Sequence, residues 1–185
     1  TQNQFDLIIW PEVAYPHQIR LNSSKTAVLG KLPSTIDEVI KRTQTHLLIG
    51  SYLQNTPAPG MTTQQEFNSA IFFDTKGNLK EYYNKQVFIP FGEQIPLIGN
   101  LKFIQNYFPD TSFFAEGKKY SLFKGPKESN FITVMCFEVL FSSFIRTYLE
   151  TTKKDHPSYI VNLTNDSWLL NSAGPKHHLF LSKWR

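Results

Sequence analysis

The sequence FITVMCFEVLF at residues 131–141 joins a predicted strand to the beginning of a predicted helix. Residues 131–135 are apolar or β-branched, and this composition predicts a buried strand. From Glu138 to Thr151 the apolar side chains recur at helical intervals, which predicts a helix. Cys136 is therefore predicted to lie on a strand-to-helix turn.

Strands and helices alternate on both sides of this turn. On the C-terminal side, Tyr159–Leu163 is a predicted strand, and Pro175 suits the first turn of a final helix. On the N-terminal side, the predicted elements are a strand at Asp6–Trp10, a helix capped by Ser34 and running to about His46, a strand at Leu47–Leu53, and a hairpin with arms Ser69–Asp74 and Leu79–Tyr83. The alternation predicts a single α/β domain across residues 1–185.

A long segment from Asn84 to Gly117 follows the hairpin. It contains prolines at positions 90, 96 and 109 with aromatic residues between them, which predicts an ordered loop with one short helix at Leu101–Phe108. Loops of this length are usually functional. We expect the part from Phe88 to Phe114 to form a mobile, partly apolar lid beside a binding pocket.

Composition and charge restrict the class of protein. Of the 185 residues, 41% are hydrophobic and 18% are charged, as in folded globular chains. The net charge of +4 includes no long basic run, which gives a weak argument against a nucleic-acid partner and is compatible with anionic lipid headgroups. Cys136 is the only cysteine, so an internal disulfide and a multi-cysteine metal site are excluded.

The ends of the chain and its hydropathy suggest a larger parent protein. No stretch reaches the roughly 18 consecutive apolar residues needed to span a bilayer. Thr1 comes shortly before a predicted strand, and Arg185 falls inside a predicted helix without a stop signal. We therefore expect a fragment that is truncated at both ends.

Three side chains could carry chemistry, although each also has an ordinary explanation. Glu12 follows a predicted buried strand and could be a general base, or a solvated loop carboxylate. Cys136 could be a nucleophile whose pKa the following helix lowers, or a small buried core residue. Lys85 could stabilise a developing negative charge, or be a surface charge. Considered singly, each residue favours the ordinary explanation.

Short motifs around these three residues change that balance. In chain order the motifs are Trp10-Pro11-Glu12, Tyr83-Asn84-Lys85 and Met135-Cys136-Phe137-Glu138. Together they resemble the motifs of the nitrilase superfamily. The resemblance implies an αββα sandwich in which Glu12 is the base, Lys85 stabilises charge and Cys136 is the nucleophile.

Two longer segments resemble the apolipoprotein N-acyltransferase family within that superfamily. They are KQVFIPFGEQIPL at residues 85–97 and NLTNDSWLLNSAGPKHH at residues 162–178, which ends in His178. The resemblance implies supporting roles for six further residues. These residues are Glu93, Phe137, Glu138, Asn165, Asp166 and Trp168.

The resemblance makes three of these supporting roles more specific. Glu93 matches a further essential carboxylate of the family. Phe137 stands where the family often has tyrosine, so its backbone N–H, but no hydroxyl, is available to form an oxyanion hole with Lys85. Glu138 either orients the triad or caps the following helix.

The implied function belongs to a membrane enzyme. Cys136 would take a fatty acyl chain from a phospholipid, hold it as a thioester, and pass it to the N-terminal amine of a diacylglyceryl-cysteine lipoprotein. The implied partners are the phospholipid donor, the lipoprotein acceptor and the membrane, which would be reached through segments absent from this chain. The implied location is the bacterial inner membrane, with this domain facing the periplasm.

No cofactor or metal is expected, since the histidines lack zinc-site spacing. One alternative is a soluble nitrilase-type amidase with the same triad, in which water replaces the lipoprotein amine. Another is a fragment that serves only as a folding or interaction module. The aromatic residues between Phe88 and Phe114 favour the lipid substrate, because a surface that faces a membrane needs apolar side chains.

Overall fold

Two β-sheets form the centre of the structure, a computed structural model that describes residues 5–22, 24, 27–55, 65–88, 114–169 and 172–184. Within these residues the first sheet has five strands, and helix α1 (Ser34–Thr43) lies between its second and third strands in the chain. The strands are β1 (Leu7–Ile9), β2 (Tyr15–Leu21), β3 (His46–Asn55), β4 (Glu66–Phe73) and β5 (Leu79–Asn84).

The second sheet has three strands in the described part of the chain, in the order β6, β7, β8. Strand β6 is antiparallel to β7, whereas β7 and β8 are parallel. Two α-helices and four 3₁₀ turns lie between or after its strands in the described residues. The elements are β6 (Leu122–Lys124), the turn Pro126–Glu128, β7 (Asn130–Met135), the turn Cys136–Leu140, α2 (Ser142–Thr152), the turn Lys153–Asp155, β8 (Tyr159–Leu163), the turn Asp166–Leu169 and α3 (Gly174–Ser182).

An interruption at one edge of the first sheet matters for the site. Strands β1 and β2 both run parallel to β3, and they pair with it one after the other. The pairing of β1 ends at Leu48, and that of β2 begins at Ser51. Residues 10–14 therefore leave the sheet between the two strands. On the other side of β3, strands β4 and β5 continue as the predicted antiparallel hairpin.

Strand β3 is buried on both faces. Leu47 and Ile49 belong to an apolar cluster with Ile36 of α1, whereas Leu48 belongs to the cluster between the two sheets. In that second cluster Phe72 meets Phe131 edge to face, with 5.6 Å between ring centroids. Fully burying one such side chain contributes about 1.5–3 kcal/mol to folding.

The layers therefore follow the order α1, first sheet, second sheet, and α2 adds Tyr148 to the cluster between the sheets. This arrangement confirms the predicted α/β sandwich. The predicted strands at Asp6–Trp10, Leu47–Leu53 and Tyr159–Leu163 are all present, and Pro175 lies in the first turn of α3.

Some local predictions were wrong. The helix after Cys136 is two elements, because Phe141 has extended backbone angles that separate the 3₁₀ turn from α2. Ser34 begins α1 instead of capping it, since Pro33 is the N-cap. Strands β2 and β6 were not predicted. The predicted lid and its helix fall in residues 89–113, outside the described residues. No helix in the described ranges has the length and apolar character needed to cross a bilayer.

Candidate active site

Glu12 lies in the interruption between β1 and β2. Its side chain points into the protein, with only 6% of the residue exposed, although it sits on a connecting segment. Gly50 of β3 makes this position possible. A Cβ atom on Gly50 would lie 2.5 Å from Glu12 Cα and would also overlap the carbonyl oxygen of Pro11. Glycine at position 50 therefore lets the segment that carries Glu12 pass close to the sheet.

Lys85 follows β5 directly, and its backbone is fixed on both sides. Its N–H donates to Asn68 O at 2.9 Å, and its carbonyl accepts from Gly117 N–H at 2.8 Å. Its side chain is 1% exposed, and Nζ lies 3.0 Å from Glu12 Oε1. The pair is therefore a buried ion pair, and an ordinary surface lysine and an ordinary solvated carboxylate are both excluded.

Asn68 also contacts the glutamate. Its Nδ2 donates to Glu12 Oε1 at 2.8 Å, the same oxygen that Lys85 approaches. Sequence reasoning missed this residue. The available signal was a buried amide side chain in β4, a strand that is buried along most of its length.

Cys136 lies at the end of β7 in a strained conformation. Its φ is +51°, in the left-handed region that non-glycine residues seldom adopt, and the residue is 1% exposed. Strain of this kind persists only where the surrounding structure enforces it, and it clusters at functional sites. The predicted strand-end position of Cys136 is confirmed, and its backbone is more constrained than an ordinary turn.

The Cys136 thiol interacts electrostatically with both members of the ion pair. Burial, and after it the Glu12 carboxylate, raise the pKa of the thiol to about 12, against opposing effects of Lys85, the Thr164 hydroxyl and the Phe137 N–H. Of the two explanations that the sequence left open for Cys136, the lowered pKa is contradicted. The physical reason is that a buried thiolate loses its hydration, and the helix dipole does not compensate for this loss.

Glu138 connects the Lys85 segment to the Cys136 turn. Its carboxylate accepts from the N–H groups of Gln86, Val87 and Met135 at 2.7, 3.0 and 2.8 Å, and from the Tyr83 hydroxyl at 2.9 Å. Burial raises its pKa to about 7, while the N–H donors partly oppose this shift. The Met135 bond caps the 3₁₀ turn and the other bonds connect Glu138 to the residues beside Lys85, whereas the role in orienting the triad stays a prediction.

The remaining predicted supporting residues lie in different surroundings. Phe137 stacks on His178, and Asp166 accepts a hydrogen bond from the same histidine. Asn165 is exposed, and its Oδ1 accepts from the N–H of Ser167, so its observed contact is local. Trp168 lies in the turn Asp166–Leu169. Glu93 lies outside the described residues.

One group of side chains has the donor types of a metal site. Cys136, Asp166 and His178 each offer one potential ligand atom, and these three atoms lie within 4.8 Å of one another. Both ring nitrogens of His178 already face oxygen acceptors, and the Cys136 thiol has a hydrogen-bond contact with the Thr164 hydroxyl. These contacts make the group a hydrogen-bond network, so we assign no metal ligand here.

The pocket thus combines a buried carboxylate, a buried ammonium group and a neutral thiol. A carboxylate can take the proton of a thiol, and a cation can stabilise an oxyanion that forms beside it. This combination suits acyl transfer through a thioester.

Comparisons with known proteins place these observations in a family. A model of the carbon-nitrogen hydrolase family matches residues 1–185. The apolipoprotein N-acyltransferase of Haemophilus influenzae is 29% identical over 181 residues, which cover 97% of this chain and 33% of that protein. The Rickettsia prowazekii protein of the same name is 30% identical over 187 residues, with coverage of 97% and 33%. The chain thus spans about a third of the length of these curated relatives.

Solved structures agree on the fold. Nit3 of Saccharomyces cerevisiae, a member of the nitrilase superfamily, matches with a TM-score of 0.57 at 16% identity, covering 97% of this chain and 57% of that one. A variant of the amidase from Nesterenkonia sp. AN1 matches with a TM-score of 0.51 at 12% identity, with coverage of 96% and 58%. The predicted nitrilase-type sandwich is therefore confirmed.

Proposed function

This chain belongs to the carbon-nitrogen hydrolase family, and on that premise we propose that it is the catalytic part of an apolipoprotein N-acyltransferase. The similarity to enzymes of that name extends over 97% of the chain. The observation that carries the chemical part of the proposal is the buried Glu12–Lys85 pair, whose two charges both act on the Cys136 thiol.

In the first half-reaction Glu12 takes the thiol proton, and the sulfur attacks the ester carbonyl of a phospholipid. The raised pKa of Cys136 makes this base necessary, because little thiolate exists near pH 7 without it. A new C–S bond forms, the ester C–O bond breaks, and the leaving alcohol receives the proton from Glu12. The products are a thioester on Cys136 and a lysophospholipid.

The net charge of the Glu12–Lys85 pair changes during this step, because Glu12 becomes protonated. Before reaction, Lys85 Nζ is 3.0 Å from Glu12 Oε1 and the two charges offset each other. Once Glu12 is protonated, its carboxyl no longer offsets the Lys85 charge, and that charge can stabilise the oxyanion that forms on the substrate. The Phe137 N–H, which donates to the sulfur, adds a second donor beside the reacting carbon.

In the second half-reaction the N-terminal amine of a diacylglyceryl-cysteine lipoprotein attacks the thioester. The N–C bond forms, the C–S bond breaks, and Glu12 carries the amine proton to the departing sulfur. The complete protein is then expected in the bacterial inner membrane, with this domain facing the periplasm and further segments holding it to the bilayer. If water replaces the amine, the same groups act as a nitrilase-type amidase, the alternative that the family name favours.

Mass spectrometry of the full-length protein tests the proposal. Incubation with phospholipid and no acceptor should add one acyl chain to the peptide that holds Cys136, and hydroxylamine should remove it. Cys136→Ala should show neither the adduct nor transfer to a lipoprotein peptide. Glu116→Gln, an exposed carboxylate change outside the pocket, is the control and should behave as wild type.

Two results separate the alternatives. Hydrolysis of short aliphatic amides, with no acyl adduct from phospholipid, would replace the transferase with the amidase. Lipoprotein acylation at the wild-type rate in Cys136→Ala would remove the covalent mechanism altogether.

A further inference from the structure

Asp166 and His178 form a buried pair behind the Cys136 turn. Asp166 begins the turn after β8, and His178 projects from α3. The ring nitrogen Nδ1 lies 2.9 and 3.0 Å from the two carboxylate oxygens of Asp166. His178 is 3% exposed, and the Thr164 hydroxyl donates to Asp166 Oδ1 at 3.1 Å. A buried imidazole held in this way has one orientation and little freedom to change it.

The other ring nitrogen faces the nucleophile turn. His178 Nε2 lies 3.3 Å from the backbone carbonyl oxygen of Cys136. Nδ1 faces the Asp166 carboxylate and Nε2 faces the Cys136 carbonyl oxygen, so the ring bridges Asp166 and the nucleophile turn. A hydrogen bond to a carboxylate is charge-assisted, so the Asp166 contact fixes the orientation of the ring.

The His178 ring also contacts Phe137, the residue that follows Cys136. Phe137 and His178 stack with 4.7 Å between ring centroids and 7° between planes. Nearly parallel rings at this separation form a stacked pair, which fixes the relative position of the two side chains. His178 thus touches the carbonyl of Cys136 and the ring of Phe137, the two residues that would supply the sulfur and one oxyanion donor.

We propose that the Asp166–His178 pair positions the nucleophile by holding the Cys136 carbonyl and the Phe137 ring in place. A residue at φ +51° needs outside contacts to keep its conformation, and besides Asp166 the His178 ring contacts that residue and its successor. The inference rests on the proposed function, since it assigns the thiol its reaction. His178 acts through other groups and is a positioning residue.

Two variants of the full-length protein separate the contacts. His178→Phe keeps a flat ring over Phe137 and removes both ring nitrogens. Asp166→Asn keeps the shape of the side chain and removes its charge. The matched control is His177→Phe, the same change at the neighbouring exposed position of α3. The double variant Asp166→Asn/His178→Phe tests whether Asp166 acts through His178.

The rate of Cys136 acylation by phospholipid, measured in a single turnover, should fall roughly 10- to 100-fold in His178→Phe, the loss expected for one charge-assisted hydrogen bond. KM for phospholipid should change less than about threefold, because the pair does not touch the substrate. The double variant should be no slower than His178→Phe, and His177→Phe should match the wild type.

Nitrogen NMR of imidazole-labelled wild-type protein gives a readout that does not depend on the variants folding. The Nδ1 resonance of His178 in the wild type should carry the shift of a hydrogen bond to a carboxylate, and Asp166→Asn should move that resonance. A wild-type Nδ1 resonance without that shift, or acylation of His178→Phe at the wild-type rate, overturns the inference. Loss of activity in Cys136→Ala combined with either of those results leaves the proposed function standing while this inference fails.

Discussion

The pocket has an ion-pair side, formed by Glu12, Lys85 and Asn68, and a thiol side, formed by Cys136, Asp166 and His178. The ion-pair side comes from the first sheet, and its key contact joins two opposite charges at 3.0 Å. The thiol side comes from the second sheet, α3 and the loop between them, and it holds a neutral thiol on a strained backbone. The ion-pair side places two charges near the thiol, whereas the backbone of the thiol side fixes the position of the sulfur. Substitutions on the two sides should therefore fail in different ways.

The largest expected effect is on the ion-pair side. Glu12→Gln leaves the Lys85 ammonium buried without this carboxylate, which should lower the free energy of unfolding by about 3–5 kcal/mol. Acyl-enzyme formation should slow by about 10²- to 10⁴-fold, because the general base is gone. Chemical denaturation and single-turnover mass spectrometry measure the two effects.

A double variant sharpens this prediction. Glu12→Gln/Lys85→Met removes both charges, so stability should recover while acylation stays slow. Cys136→Ala, by contrast, should abolish acylation and change stability by about 1 kcal/mol. Equal destabilisation by Glu12→Gln and Cys136→Ala would contradict the division between a charged side and a geometric side.

A second prediction concerns Glu138, which joins the two sides. Burial raises the pKa of its carboxyl from 4.5 to about 7, so the folded protein keeps a proton that the unfolded chain has released between these pH values. Its contribution to stability is complete below about pH 4.5 and is lost as pH rises through 7, by an amount on the order of 3 kcal/mol. Glu138→Gln lacks this titration.

Denaturation of the wild type and Glu138→Gln at pH 4.5 and pH 8 measures this contribution. The stability advantage of the wild type should be smaller at pH 8. Glu116→Gln, on an exposed carboxylate, should follow the wild type at both values. Parallel pH curves for the wild type and Glu138→Gln would show that the carboxyl titrates normally in the fold.

A third prediction tests how the ion-pair side is built. Gly50→Ala places a methyl group against the backbone of Pro11 and Glu12, and relief requires that segment to move. Crowding of this kind should cost about 1–3 kcal/mol and should also slow acylation, since Glu12 moves with its backbone. Gly30→Ala is the comparison, because a methyl group there meets nothing within 4 Å; its cost comes from the φ of +86° alone and should leave acylation unchanged. Wild-type activity in Gly50→Ala would mean that Glu12 tolerates displacement.

The smallest expected effect tests strain on the thiol side. Cys136 has a φ of +51°, which glycine adopts without a steric penalty. Cys136→Gly should therefore be more stable than Cys136→Ala by about 1 kcal/mol, although it buries fewer atoms. Thermal unfolding of the two inactive variants checks this. A less stable glycine variant would mean that the turn is not strained.

Local sequence predicted the ends of the strands that carry the chemistry. The apolar runs at Asp6–Trp10 and Phe131–Met135 define strands, because buried strands need continuous apolar side chains. Glu12 and Cys136 follow these runs directly, and they were predictable as strand-end residues. Asn68 was not, since one asparagine in a strand carries no sign of the carboxylate that lies across the sheet.

The sequence by itself determined the order of strands and helices, the family, and the three residues most suited to thiol chemistry, because these depend on neighbours in the chain. Only the tertiary structure decided the pKa of the thiol and the hydrogen bonds around the pocket. The raised pKa of Cys136 depends on burial between two sheets, and the Glu138 and His178 contacts join segments tens of residues apart. Desolvation and long-range hydrogen bonds arise only when those segments meet, so no local pattern specifies them.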